Sequence, residues 1–231
     1  MIFEICASTP VDVAVAMEAG ADRVELCSHW ECGGLTPTPS LIRSSVSMGL
    51  PVRALVRPRA GNFYYNNSEK QLFLAEALEC LDAGAEMVVV GGLTKDDEID
   101  EGLLELLCSK IPAEKFVFHR ALDRASDIIH ASELILDFDI TSALSSGGAP
   151  AAGLGLDNIN EMCSLGLNVI AGGGVRIEDI VKLGEAGVEA VHVSCRKKDI
   201  YSEDEIFDMS TYPVDFEKAS VFYDAVAKWN L

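Results

Sequence analysis

A few residues in this sequence are of types and spacings that do chemistry. His119, in "FHRALD" (118–123), can serve as a general acid or base. Glu25, in "GADRVELC" (20–27), can orient that imidazole or share the proton work. Arg57 and Arg59 open "RPRAGNFYYN" (57–66), and their planar bidentate donors suit an anionic substrate. The aromatic run after them, Phe63, Tyr64 and Tyr65, either walls a pocket or packs its loop on itself. Gly172, Gly173 and Gly174 form a triplet that can bring bare backbone N–H groups to a phosphate or carboxylate. The alternative there is a tight strand-to-helix turn without a ligand. Ser145-Ser146-Gly147-Gly148 offers further small donors or an ordinary polar turn. No G-x-S-x-G elbow, H-E-x-x-H pair or P-loop occurs. His29 in a loop and His130 on a helix surface carry less weight.

These residues need a scaffold, and the chain alternates short apolar runs with longer amphipathic ones. The runs 2–6, 23–27, 52–57, 87–91, 116–119, 140–146, 169–172 and 190–194 read as strands. Helical periodicity covers, among others, 10–18, 69–83, 127–138, 177–186 and, at the end, 216–229. "AGADRVEL" (19–26) recurs as "AGAEMVVV" (83–90) and "AGVEAVHV" (186–193). Each copy is a helix end, a Gly turn and a buried strand. Eight β-then-α units in 231 residues predict an α/β fold, a (β/α)8 TIM barrel forming a single domain over 1–231. A doubly wound open sheet is the alternative. The least regular stretch, 196–214, is either a lid over the barrel mouth or a surface loop.

Side chains alternate along a strand, so parity sorts them. Phe3, Ile5, Val24, Leu26, Val52, Ala54, Val56, Val191 and Val193 should face the helices. Glu4, Cys6, Arg23, Glu25, Cys27, Arg53, Arg57, His119, His192 and Ser194 then face the barrel interior. Barrel interiors are ordinarily filled by branched apolar side chains, and unpaired buried charge is expensive. The inward charges therefore form either a structural ion-pair network or a site. Strand C-terminal ends, where Arg57 and His119 lie, are where barrel enzymes place their active sites. The catalytic candidates are Glu25, Arg57 and His119. Arg23, Arg59, Asp123, Ser146, Gly147, Gly172, Gly173, Gly174, His192 and Ser194 are candidates for holding an anion.

Eighteen Lys and Arg against 37 Asp and Glu give a formal charge of −19. Such a surface repels nucleic acid and anionic membranes, so neither is an expected partner. No apolar run is long enough to span a membrane and no secretory signal opens the chain, which predicts a cytoplasmic protein. Seven scattered cysteines without a C-x-x-C pair are neither a disulfide framework nor a zinc ribbon. No organic cofactor is predicted. A homo-oligomer, most simply a dimer, is the expected assembly.

Taken in order, "EIC" (4–6), "GADRVELC" (20–27), "GGLTP" (33–37), "RPRAGNFYY" (57–65), "FHRALD" (118–123), "SSGG" (145–148), "AGGGV" (171–175) and "HVS" (192–194) resemble the CutC family. The resemblance runs from residue 2 to about 195 and implies a (β/α)8 barrel, a cytoplasmic protein and a role in copper homeostasis. It also implies copper(I) binding through Cys6 and Cys27. Departures from the family pattern include Cys32 where a Glu is usual and Ser145 where a Thr is usual. Both Cys6 and Cys27 have inward parity at the ends of neighbouring strands, so one linear Cu(I) could bridge them, with Cys32 as a third ligand. The alternative is two small buried hydrophobes. Arg23 and Arg57 are the cations expected to favour thiolate. The expected partner is thus a copper ion, a small anionic or phosphorylated metabolite acted on by a barrel enzyme, or both.

Overall fold

The computed structural model describes residues 1–200 and 210–231. Eight parallel strands, β1 (Ile2–Ala7), β2 (Arg23–Leu26), β3 (Val52–Leu55), β4 (Met87–Val90), β5 (Phe116–Phe118), β6 (Ser142–Ser145), β7 (Asn168–Gly172) and β8 (Ala190–Val193), close in sequence order. β8 pairs with β1, with Glu4 opposite His192. On β1's other side Glu4 lies opposite Arg23 and Cys6 opposite Glu25. The fold is a (β/α)8 TIM barrel.

Helices α1 (Pro10–Glu18), α2 (Pro39–Val46), α3 (Asn67–Asp82), α4 (Glu101–Cys108), α5 (Ile128–Asp137), α6 (Leu156–Ser164), α7 (Ile180–Glu185) and α8 (Phe216–Trp229) lie outside the sheet. Side-chain oxygens of Thr9, Thr38, Asn66, Asp100, Asp127 and Asp215 accept the otherwise unpaired N–H groups of the first turns. Asn66 and Glu69 form a reciprocal capping box, which moves the start of α3 two residues ahead of the apolar periodicity. The recurring Gly turns are left-handed, with Gly20 at φ 86° and Gly84 at φ 103°. α7 is shorter than its pattern suggests, because Ile177–Asp179 winds as a 3-10 turn before it.

Parity builds two apolar layers. Phe3, Ile5, Val24, Leu26, Val52, Ala54, Val88, Val90, Val191 and Val193 join the large core between sheet and helices. Leu55, Val89, Val117, Leu144, Ile170 and Ala190 fill the barrel interior, together with Cys6 and Cys27. The strands are buried on both faces, as parallel sheets require.

The lid or loop expected over 196–214 includes 201–209, which lie outside the described residues. Its flanks form an antiparallel ribbon, β9 (Asp199–Ile200) against β10 (Ser210–Thr211), with Arg196 bridging to Val214. No helix among the described residues is long and apolar enough to cross a membrane.

Candidate functional site

A cavity of about 490 Å³ opens at the C-terminal ends of the strands. Glu25, Arg57, His119, His192, Ser194, Gly173, Gly174, Cys6 and Cys27 all line it. Arg23, Arg59, Asp123, Ser146, Gly147 and Gly172 do not. Sequence reasoning missed Trp30, Arg120, Arg196, Lys218 and Phe222 on its wall. Arg120 was legible, being adjacent to His119. Arg196 and Lys218 lie beyond the last barrel strand, where no motif points inward.

The floor is a buried ion network. Glu4 accepts from Arg23 Nε and lies 3.7 Å from Arg53 Nη1. It is also 2.8 Å from His192 Nδ1. Burial alone would raise the Glu4 pKa. The His192 hydrogen bond and the charges of His192, Arg23 and Arg53 overcome it and hold the carboxyl at about 2. Arg23 turns also to Glu189, 3.6 Å away, so it serves the floor and is not an anion ligand at the mouth. His192 is raised, since the charges of Glu25 and Glu4 and the Glu4 hydrogen bond outweigh its desolvation.

Glu25 stands next to this network without a hydrogen-bond partner among the described residues. Burial, with the neighbouring charge of Glu4, pushes its carboxyl up to about 7 against the pull of His192 and the two arginines. Of the two roles its sequence position allows, orienting His119 or sharing proton work, the first is not made, since no hydrogen bond joins the two among the described residues. The Nδ1 of His119 instead accepts the backbone N–H of Ala121, at 3.1 Å. The ring proton therefore sits on Nε2, which is buried and has no partner among the described residues. Desolvation takes the His119 pKa down to about 3. This imidazole is a neutral hydrogen-bond donor, not a general base near neutral pH.

The arginines of "RPRAGNFYYN" hold loops. Arg57 donates to the carbonyls of Cys32, Gly34 and Gly61, at 3.1, 3.0 and 2.8 Å. Its guanidinium lies over Phe63. Arg59 pairs with Glu69 and donates to the carbonyls of Asn62 and Tyr64, away from the cavity. Phe63 lines the cavity, while Tyr65 packs on Phe73.

The anion cradle expected at Ser145–Gly148 is filled by the protein itself. Asp123 accepts from the Ser145 hydroxyl at 2.6 Å and from the N–H groups of Ser146 and Gly148 at 2.9 and 3.1 Å. It also takes the Ser146 hydroxyl at 3.0 Å and Arg120 Nε at 2.8 Å. Ser145, Ser146 and Gly148 thus bind an internal carboxylate, Asp123, while the Gly147 N–H donates to the Ser145 hydroxyl at 2.9 Å.

On the opposite side the Sγ atoms of Cys6 and Cys27 lie 3.8 Å apart. Ser8 Oγ is 3.5 Å from Cys27 Sγ. The hydrogen bond from Cys6 lowers the Cys27 pKa, with help from Ser8, while the same contact and burial raise Cys6 well above its ordinary value. The cation that favours these thiolates is Arg196, not Arg23 or Arg57. Arg196 is anchored to Asp12 at 3.2 Å, Ser8 Oγ at 2.8 Å and the Cys6 carbonyl at 3.2 Å. Cys32 is exposed, with its thiol on the His29 carbonyl at 3.2 Å, so it does not join the pair as a third ligand. The metal-sized cluster among the described residues is Glu4, Glu25 and His192 instead. Arg23 and Arg53 already neutralise Glu4 there.

A closed parallel barrel with a cavity at its strand C-termini defines a TIM-barrel protein with its candidate site at the mouth. The chain belongs to the CutC family, whose family model matches residues 1–197. CutC family proteins of Treponema denticola and Rhizobium meliloti are 36% and 32% identical over 204 and 196 residues. Those matches cover 84% and 83% of this chain and 81% and 80% of the relatives. A crystal structure described as a copper homeostasis protein CutC of Streptococcus agalactiae superposes with a TM-score of 0.75 at 26% identity, covering 83% of this chain and 97% of that one. A thiamine phosphate pyrophosphorylase of Pyrococcus furiosus shares the fold, with a TM-score of 0.60 at 12% identity over 99% and 96% of the two chains.

Proposed function

We propose that the protein binds copper(I) through Cys6 and Cys27 and serves copper homeostasis. The observation that carries this reading is the 3.8 Å separation of the two Sγ atoms at the cavity wall. Metal–thiolate bonds of about 2.3 Å place two sulfurs of a linear site about 4.5 Å apart. Small side-chain rotations cover the difference. Among the described residues no third His, Cys or carboxylate completes a cluster with the two thiols. A two-sulfur site suits soft, two-coordinate Cu(I) and leaves Zn(II), which wants four ligands, unsatisfied. Arg196 compensates the net negative charge of a bis-thiolate site. The description of the Streptococcus relative as a copper homeostasis protein supports the same reading.

Cu(I) titration against a competing chelator tests it. Cys6→Ser and Cys27→Ser should each weaken binding at least a hundredfold. Undiminished affinity in both variants would refute the assignment.

A second reading, a barrel enzyme acting on a small anionic metabolite, is favoured by Glu25. A buried, unbonded carboxyl near neutrality at a barrel mouth is suited to proton transfer. His119 would then serve as an electrophilic donor through Nε2–H.

A further inference from the structure

The charge of the cavity is opposite to that of the chain. The protein carries 37 acidic and 18 basic residues. Among the described residues four cations, Arg57, Arg120, Arg196 and Lys218, line the cavity, with Glu25 as the one acidic lining residue. Asp123 and Asp12 compensate Arg120 and Arg196 from behind, at 2.8 and 3.2 Å. Arg57 and Lys218 are hydrogen-bonded to backbone carbonyls and have no carboxylate partner among the described residues. Spending a hydrogen bond on a carbonyl does not remove the charge. A concave, low-dielectric site focuses this field and concentrates anions.

One wall has donors to spare. Gly173 and Gly174 follow β7 with φ of 90° and 64°, a backbone that L side chains rarely adopt. Their N–H groups have no acceptor among the described residues, although the Gly173 carbonyl accepts from Ala152 at 2.9 Å. A Cβ on Gly173 would lie 2.6 Å from the guanidinium carbon of Arg120. Glycine is what lets that cation close over the loop. Arg120 commits Nε to Asp123 and Nη2 to Ser146, leaving Nη1 uncommitted among the described residues. The Nε2–H of His119, a lining residue only 4% exposed, is a donor with no partner among the described residues. Successive backbone N–H groups beside a guanidinium are a recurring way to hold a phosphate.

We propose that this cavity binds a phosphate group, free or carried on a small metabolite, held by the Gly173 and Gly174 N–H groups and by Arg120. The body of a phosphorylated ligand lies toward Phe63, Trp30 and His119. The inference deepens the enzyme reading by naming its ligand class. It involves neither thiol, so it stands or falls apart from the copper titration.

The test is a titration with inorganic phosphate, and separately with glycerol 2-phosphate, at constant ionic strength set with chloride. Arg120→Met should weaken binding at least tenfold. Arg59→Met removes the same charge from a residue turned away from the cavity and should change affinity less than twofold. Tighter binding of the ester assigns the site to phosphorylated metabolites; tighter binding of inorganic phosphate assigns it to the free ion. Equal affinity in Arg120→Met and wild type overturns the proposal. So does an equal loss in Arg59→Met, since that marks a diffuse field instead of a site. Should Arg120→Met fail to fold, the amide resonances of Gly173 and Gly174 in 15N-glycine-labelled wild type decide. Phosphate should shift them, and their immobility overturns the site.

Discussion

Replacing Glu25 by Gln should flatten a defined part of the stability–pH profile. The carboxyl moves from 4.5 in an ordinary environment to about 7 in the folded protein, chiefly because burial disfavours its charge. At about 1.4 kcal/mol per pH unit, that difference is worth about 3 kcal/mol. The sign follows from the proton count. Below pH 4.5 the group is neutral in both states and costs nothing. Between 4.5 and 7 the unfolded chain ionises while the folded one keeps its proton, so stability falls as pH rises. Above 7 the full cost is present. His119, lowered to about 3, and Glu4, lowered to about 2, work in the opposite direction, losing stability as pH falls. Both remain in Glu25→Gln and cancel in the comparison with wild type. His192, Arg23 and Arg53 face Glu25 across the same network. His192 is the neighbour whose own titration shifts when the charge is removed. Urea unfolding at half-unit steps from pH 4 to 8.5 measures the difference. The variant should gain about 3 kcal/mol on wild type between the ends of that range. Parallel profiles, within about 0.5 kcal/mol, would show that the Glu25 environment does not penalise its charge, and the reasoning fails.

Asp123→Ala strips five donors of their acceptor, among them the backbone N–H groups of Ser146 and Gly148. At about 1.5–3 kcal/mol for each charged hydrogen bond, and with losses that do not add, urea unfolding should show at least about 3 kcal/mol of destabilisation. Arg57→Met removes the donors to the carbonyls of Cys32, Gly34 and Gly61 and should accelerate amide exchange across 30–35 and 60–63 before it affects the barrel strands.

The barrel was legible in the sequence because two strong signals agreed. Apolar runs marked the strands, and the repeated A-G-(A/V) turn before β2, β4 and β8 fixed the direction of each crossover. Strand parity also separated Val24 and Leu26, under the helices, from Glu25 and Cys27 inside, since a parallel sheet alternates regardless of residue type. Parity gives a side and not a partner. It could not show that Arg57 is spent on three loop carbonyls, that Asp123 fills the Ser146 turn, or that His119 takes its proton position from Ala121. Those facts depend on loop conformations, which composition leaves open. Arg59 illustrates the error: an exposed-looking Arg four residues past the end of β3 is drawn off by Glu69 ten residues later, through a capping box that fixes the carboxylate.

The hydrogen bond between Glu4 and His192 joins residues 188 apart, across the seam where the first strand meets the last. Contacts this distant in sequence form late, because loop closure must be met before they are made. Cys6 and Cys27 belong instead to β1 and the end of β2, the first strand pair of the barrel, and Arg23 reaches Glu4 within that same unit. The thiol pair is therefore assembled from local chain, whereas the Gly173 wall and the His192 end of the floor exist only once β7 and β8 have docked. The residues of the thiol pair are thus synthesised long before β7 and β8, so the order of synthesis separates two walls that the finished barrel places side by side.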